Sequence, residues 1–330
     1  MSGRGKGLLL GLIASALWAS VFSAARYATA ARGLDPILTA ALRFGIGAVG
    51  AVVFLALSGH LGRLKDAACD LVPLSAIGAV GIFAMGLLVF ISASLTSSIN
   101  GALLLNSNAV FIAVFAIFAG ERVPLLRFVG LIIGLAGCGV IVLGQTPPQE
   151  LPVASNVLGS LAALGGAICW AAYTVAGKRY VRRHGGLVTS TITLIAGAVM
   201  LAIVAAARRP AFDLGLNEWL AVLWLGIFPT TIAMLMWYAA LEYVDASVLG
   251  PTQYIAPPLA TLLGWWLLGE PLSWSFALGA AAIVIAVWLA TRPVGCGVEN
   301  DDGKQDRAAP GRIDDTGTGY GNGWDRDGNG

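Results

Sequence analysis

Long apolar runs broken by short polar stretches set the pattern of this chain. The runs cover residues 7–27, 36–57, 71–91, 97–119, 128–143, 157–177, 186–207, 219–241, 246–268 and 272–290. A helix needs roughly 20 mainly apolar residues to cross about 30 Å of hydrocarbon. Within lipid, backbone N–H and C=O groups must be bonded inside their own segment, so runs of this length predict α-helices. None shows the alternation of a barrel strand. The pattern predicts an all-α integral membrane protein with ten transmembrane helices.

Composition agrees: 57% of the residues are hydrophobic and 12% charged, and the mean hydropathy is +0.80, outside the range of ordinary soluble domains. The charges mark sidedness. With the amino terminus inside, cytoplasmic breaks hold Arg4, Lys6, Arg63, Lys65, Arg122, Arg127, Lys178, Arg179, Arg182, Arg183 and Arg292, against Arg26, Arg32, Arg208 and Arg209 on the other side. Retention of Lys and Arg in short cytoplasmic loops then places both termini in the cytoplasm. A net charge of +2 is explained by these topology signals and implies no nucleic-acid partner; the lipid bilayer is the expected one. A cleaved signal sequence in place of the first helix fits less well, because its loss would leave an odd number of spans. Cys138 and Cys169 fall within spans and Cys69 and Cys296 beside them, a spacing that suits neither a disulfide framework nor a metal site. No cofactor and no metal are expected.

From Glu299 onward the composition turns to Gly, Asp and Arg, as in a disordered tail. Its "DRDGNG" has the donor spacing of a calcium loop without the distant Glu that such a loop needs.

The chain also repeats itself. "FAGERVPL" at 118–125 returns as "LLGEPLSW" at 267–274, and aligning Gly120 and Glu121 with Gly269 and Glu270 brings Ser98 onto Ser247, Gly101 onto Gly250 and Gly130 onto Gly279. "ALWAS" with Trp18 matches "ICWAA" with Trp170 near the start of each half. Five spans are thus followed by five related spans, and because five is odd the second set enters the membrane inverted. The expected segments are a first repeat at 1–144, an external linker at 145–156, a second repeat at 157–292 and the tail at 293–330.

In their order, "DPILTAALRF", "SASLTSSINGALL", "GERVPLLRFVGLIIGLAGCGVIVLG" and the stretch from "WYAALEYVDASVLG" to "AIVIAVWLA" resemble the EamA family of the drug/metabolite transporter superfamily, over 7–292. The resemblance implies a ten-helix inverted-repeat transporter of a bacterial inner (plasma) membrane that exports amino acids or related metabolites through a cavity between the first, third, fourth, sixth, eighth and ninth helices.

Candidate site residues follow from polarity at depth. Arg43 is the one charge well inside a predicted span; it either bonds a neighbouring helix or attracts a substrate carboxylate. Asn100, Asn106, Ser107 and Asn108 in the fourth helix, with Gln253 and Tyr254 in the ninth, either bond helix to helix or line a polar cavity. Pro257 and Pro258 free carbonyls in mid-membrane. Trp18, Trp170, Tyr173, Trp237 and Tyr238 supply aromatic walls or packing, whereas Trp219, Trp265, Trp266, Trp274 and Trp288 suit interfacial anchors. Glu121 and Glu270, each beside a glycine and a following proline, suit structural corners, or gates that pair differently as the repeats rock. Gly130 and Gly134 form a small-residue face that serves close packing within the chain or a homodimer.

The first helix holds no carboxylate, so proton coupling through such a group is not expected, and His60 and His184 read as loop histidines. A membrane enzyme would need acids, bases or nucleophiles gathered at one face, and Asp66, Asp70 and His60 lack a partner nucleophile. A scaffold would not need asparagines, tandem prolines and an arginine at depth. Amino acids are the first substrate expected, with nucleosides, sugars and aromatic xenobiotics as alternatives.

Overall fold

Helices account for the regular structure among the described residues, as the apolar runs require. A computed structural model describes residues 2–26, 35–95, 104–144, 153–208, 214–268 and 273–292. Asn100, Glu270, Ser98 and the tail lie outside them. The helices are α1 (Gly3–Arg26), α2 (Pro36–Leu57), α3 (Leu71–Gly78, a π turn at Ala79–Ala84, then Met85–Leu95), α4 (Leu104–Phe118), α5 (Leu125–Leu143), α6 (Val153–His184), α7 (Gly186–Arg208), α8 (Leu216–Gly226, a π turn at Ile227–Ile232, then Ala233–Ala240), α9 (Ala246–Leu249, a 3-10 stretch at Gly250–Ile255, then Ala256–Leu268) and α10 (Trp274–Thr291). Among the described residues, α2, α3, α5, α6, α7, α8 and α10 are the seven long and apolar enough to cross a membrane. The outer surface of the helices is apolar, with Leu57, Val72, Phe118, Trp266 and Trp274 exposed. In water such a surface would be untenable; in lipid it is the ordinary exterior.

Local chemistry explains where the helices start, stop and bend. Asp35 caps α2 by accepting from the Ile37 and Leu38 amides at 2.9 Å, with Pro36 in the first turn where no N–H is needed. Gly120 ends α4 at φ +84°; its amide bonds the Ile117 carbonyl, and the next amide, of Glu121, bonds Ala116. That is a Schellman closure, and it leaves Glu121 at a defined place just beyond the helix. In α8, Pro229 cannot donate to the Leu225 carbonyl. The Thr230 hydroxyl donates to it instead at 2.7 Å and the Thr231 hydroxyl to Gly226 at 3.1 Å, within the π turn. In α9, Pro257 and Pro258 cannot donate to the preceding turn, and the backbone ahead of them narrows to 3-10 geometry. Helical periodicity does not reveal either bend.

Close packing recurs in the two halves of the chain. α5 and α10 run antiparallel in backbone contact: a Cβ added at Gly130 would lie 2.9 Å from the Ala286 carbonyl oxygen, and one at Gly279 would lie 2.5 Å from that of Gly137. The shift that carries Gly130 to Gly279 also carries Gly137 to Ala286, so these two contacts are copies of each other. Gly78 of α3 faces the backbone of Thr193 in α7, and Gly226 of α8 faces that of Arg43 in α2. This pair too is related by the same shift to within a residue, as are the two π turns. The glycine face of α5 is therefore taken up inside the chain, and a homodimer would have to use another surface.

Candidate functional site

The aromatic candidates converge. Trp18 of α1 meets Trp170 of α6 edge to face, with ring centroids 5.2 Å apart, and Trp237 of α8 at 5.2 Å; Trp170 lies 5.3 Å from Tyr173, and Tyr173 lies 4.9 Å from Tyr238. Such offsets suit the quadrupoles of the rings. Most of their polar atoms are committed to the fold. Trp18 Nε1 donates to the Pro229 carbonyl at 2.8 Å, Trp237 Nε1 to Thr174 at 3.3 Å, and the Tyr238 hydroxyl to the Tyr173 carbonyl at 3.0 Å. The Tyr173 hydroxyl shares a bond with Thr193 at 3.2 Å. Trp170 is the exception: it is 7% exposed, and its Nε1 has no partner among the described residues.

The polar candidates separate into two places. Asn108 of α4 donates from Nδ2 to Gln253 Oε1 of α9 at 3.1 Å. This single bond leaves Asn108 Oδ1 and Gln253 Nε2, one acceptor and one donor, both buried and without a partner among the described residues. Buried amide atoms are normally satisfied, so this pair holds reserve hydrogen-bonding capacity. Asn106 is half-buried, and the Ser107 hydroxyl bonds back to the Leu104 carbonyl. Tyr254 turns the other way, donating to the Leu131 carbonyl at 3.0 Å in a second core cluster with Ile283 and Cys138. Pro257 and Pro258 follow at the start of the wider helix. Arg43 donates from Nε to Thr230 Oγ1 at 2.9 Å and lies over the Phe44 ring. It is thus bonded to a neighbouring helix, through the hydroxyl that also closes the π turn.

Glu121 does more than turn a corner. Its Oε1 accepts from Lys178 Nζ at 2.9 Å and from the Ala246 amide at 3.0 Å, and its Oε2 accepts from the Ser247 amide at 3.0 Å. A carboxylate placed by the end of α4 therefore caps the start of α9, where the helix dipole favours negative charge. Asp245, the residue in the cap position, pairs with Lys178 instead. Glu121 and Lys178 side chains are only 8% and 9% exposed. One charge cluster thus holds the α4–α5 turn, α6 and α9 together. Around it, Asp70 pairs with Arg183 and His184 at 2.7 Å, and the Glu242 carboxylate accepts from the Gly186 amide at 2.5 Å.

The apolar pattern places Lys178 and Arg127 in cytoplasmic breaks between spans. Both are buried in helices. Arg127, 6% exposed, donates to the Ala290 carbonyl at 3.2 Å and to Ser247 at 2.8 Å, while Arg4 reaches the Thr291 carbonyl at 2.6 Å. These arginines satisfy the last carbonyls of α10. The signal available in the sequence was the adjacency of Arg127 to the Gly-Glu turn; the partner was not visible. Beside the cluster, a cavity of about 820 Å³ opens between α3, α4 and α6.

The EamA-like transporter family profile matches residues 5–143 and 157–292. The chain belongs to the EamA family. The profile thus covers each half separately. An aromatic amino acid exporter, YddG, of Ancylobacter novellus is 32% identical to this EamA protein over 79% of its chain and 88% of the relative. An uncharacterized transporter, YyaM, of Bacillus subtilis is 25% identical over 86% and 92%, and an uncharacterized inner membrane transporter, YedA, of Escherichia coli K12 is 28% identical over 83% and 87%. A crystal structure of a protein 29% identical in sequence superposes with a TM-score of 0.75 over 86% of this chain and 97% of its own. As an EamA protein this chain is a multi-pass membrane protein of a transporter family, and its relatives carry transporter names.

Proposed function

We propose that this EamA protein carries small metabolites, amino acids first, out of the cell by alternating access between two inverted five-helix halves of a ten-helix bundle in a bacterial inner membrane. The observation that carries the reading is the reciprocity of the packing: the α5–α10 glycine contacts and the π-turn contacts onto α2 and α7 each come as a pair related by the internal repeat. Two halves built alike but inserted in opposite senses can exchange conformations, and the exchange opens a central site to one side and then the other.

Substrate contact is assigned to Asn108, Gln253 and Trp170. The free amide acceptor, amide donor and indole N–H suit the ammonium and carboxylate groups of an amino acid, and the surrounding rings suit its side chain. The relative named as an aromatic amino acid exporter supports the same class.

The test is counterflow of labelled amino acids, including aromatic ones, in proteoliposomes, with and without a proton gradient. Saturable exchange is expected from the unaltered protein. Asn108→Leu and Gln253→Leu should each lower it at least about tenfold, the effect of losing roughly one buried hydrogen bond to a charged group, while thermal unfolding shows intact protein. Folded protein that exchanges no amino acid would overturn the substrate assignment and direct the assay to nucleosides, sugars and aromatic xenobiotics.

A further inference from the structure

The cavity between α3, α4 and α6 borders the aromatic interior, because Ile77, Phe115 and Val175 of its lining pack against the core that holds Trp170 and Tyr173. Its walls are largely apolar, with Ile77 of α3, Phe115 and Phe118 of α4 and Val175 of α6, and Phe118 is 85% exposed. The lining is also cationic. Lys178 is consumed by Glu121 and Asp245, and Arg183 pairs with Asp70. Arg179 and Arg182, which also line the cavity, are exposed and make no ion pair among the described residues.

Along α6 the lining passes from Ala172 and Val175 to Arg179 and Arg182. These residues lie at helical spacings of three and four and share one face. At 1.5 Å per residue the stripe is about 15 Å long, apolar at one end and twice positive at the other. An amphiphile with an anionic head and a hydrocarbon tail has the same division. Arginine suits phosphate oxygens because its planar donors can bind them in pairs, and basic pockets between transmembrane helices recognise anionic headgroups.

We propose that this groove is a binding site for an anionic phospholipid, with the headgroup phosphate on Arg179 and Arg182 and one acyl chain along Val175, Ile77 and Phe115. A lipid held there would lie against the Glu121–Lys178 cluster, since both residues also line the groove. The inference rests on the protein being in a membrane and not on its being a transporter, so lipid binding and transport fail independently.

The test is native mass spectrometry of the purified full chain, with phosphatidylglycerol or phosphatidylcholine added in matched amounts. Phosphatidylglycerol should be retained preferentially. Arg179→Gln together with Arg182→Gln should reduce that retention about tenfold or more, whereas Arg122→Gln, an exposed arginine at the same end that does not line the groove, should leave it unchanged. Ile77→Trp, which fills the apolar part, should lower retention of the lipid without altering any charge, and serves if the double variant fails to fold. Equal retention of the two lipids, or undiminished phosphatidylglycerol binding by a folded double variant or by Ile77→Trp, would overturn the proposal.

Discussion

Glu121 illustrates how a single side chain acquires several tasks once its position is set. Gly120 is legible in the sequence as the residue that permits a tight turn, and its φ of +84° agrees. The carboxylate one residue later is legible only as a charge at a helix end. What it binds depends on two segments far along the chain, Lys178 and the amides of Ala246 and Ser247. Because Glu121 and Lys178 are both buried, removing Lys178 leaves the Glu121 and Asp245 carboxylates without their shared cation, at a cost of up to roughly 3–5 kcal/mol. Lys178→Met should therefore lower thermal stability in detergent more than the double replacement of Lys178→Met with Glu121→Gln. If the double variant is the less stable, the pairing does not hold the charges in place. Arg127 makes the same point from the other side: a residue beside a loop is buried because the end of α10 needs donors, and nothing local to residue 127 announces that need.

Helices α5, α8 and α10 show which contacts define the elements. At Gly137 and Gly279 the two backbones touch, so any larger side chain must push α5 and α10 apart. Gly137→Leu should cost at least about 3 kcal/mol or prevent folding altogether, the upper range for overpacking, whereas Gly45→Ala, with open space around it, should be near neutral; unfolding midpoints of the two variants would show the difference. In α8, Thr230→Val would free the Leu225 carbonyl and remove the acceptor of Arg43. Loss of buried partners of this kind costs about 1–3 kcal/mol, so a melting temperature equal to that of the unaltered protein would mean that the π turn does not depend on this hydroxyl. The spans themselves were legible from apolar run length. Their bends were less so: Pro229, Pro257 and Pro258 mark where hydrogen bonds are lost, but the sequence does not say whether a kink, a π turn or a 3-10 stretch absorbs the loss.

For the whole molecule, Arg4, Arg127, Lys178, Arg183 and their partners gather at one end of the bundle. With that end in the cytoplasm, Cys69, exposed near the start of α3, should react with an impermeant maleimide in inside-out vesicles and not in intact spheroplasts. The experiment needs Cys296→Ser to remove the other flanking thiol. Reaction from the outside would reverse the assigned orientation.

The sequence alone determined the helical class, the membrane setting, the family and the internal repeat, because lipid imposes run lengths on every segment and a repeat is a property of the residue order itself. It also supplied the aromatic and amide candidates as residue types out of place in hydrocarbon. Only the tertiary structure decided which of these side chains meet. Trp18, Trp170, Trp237 and Tyr173 come together, Asn108 finds Gln253, and Tyr254 is spent on α5, because hydrogen bonds and ring contacts between helices depend on rotation and crossing, which apolar periodicity leaves open.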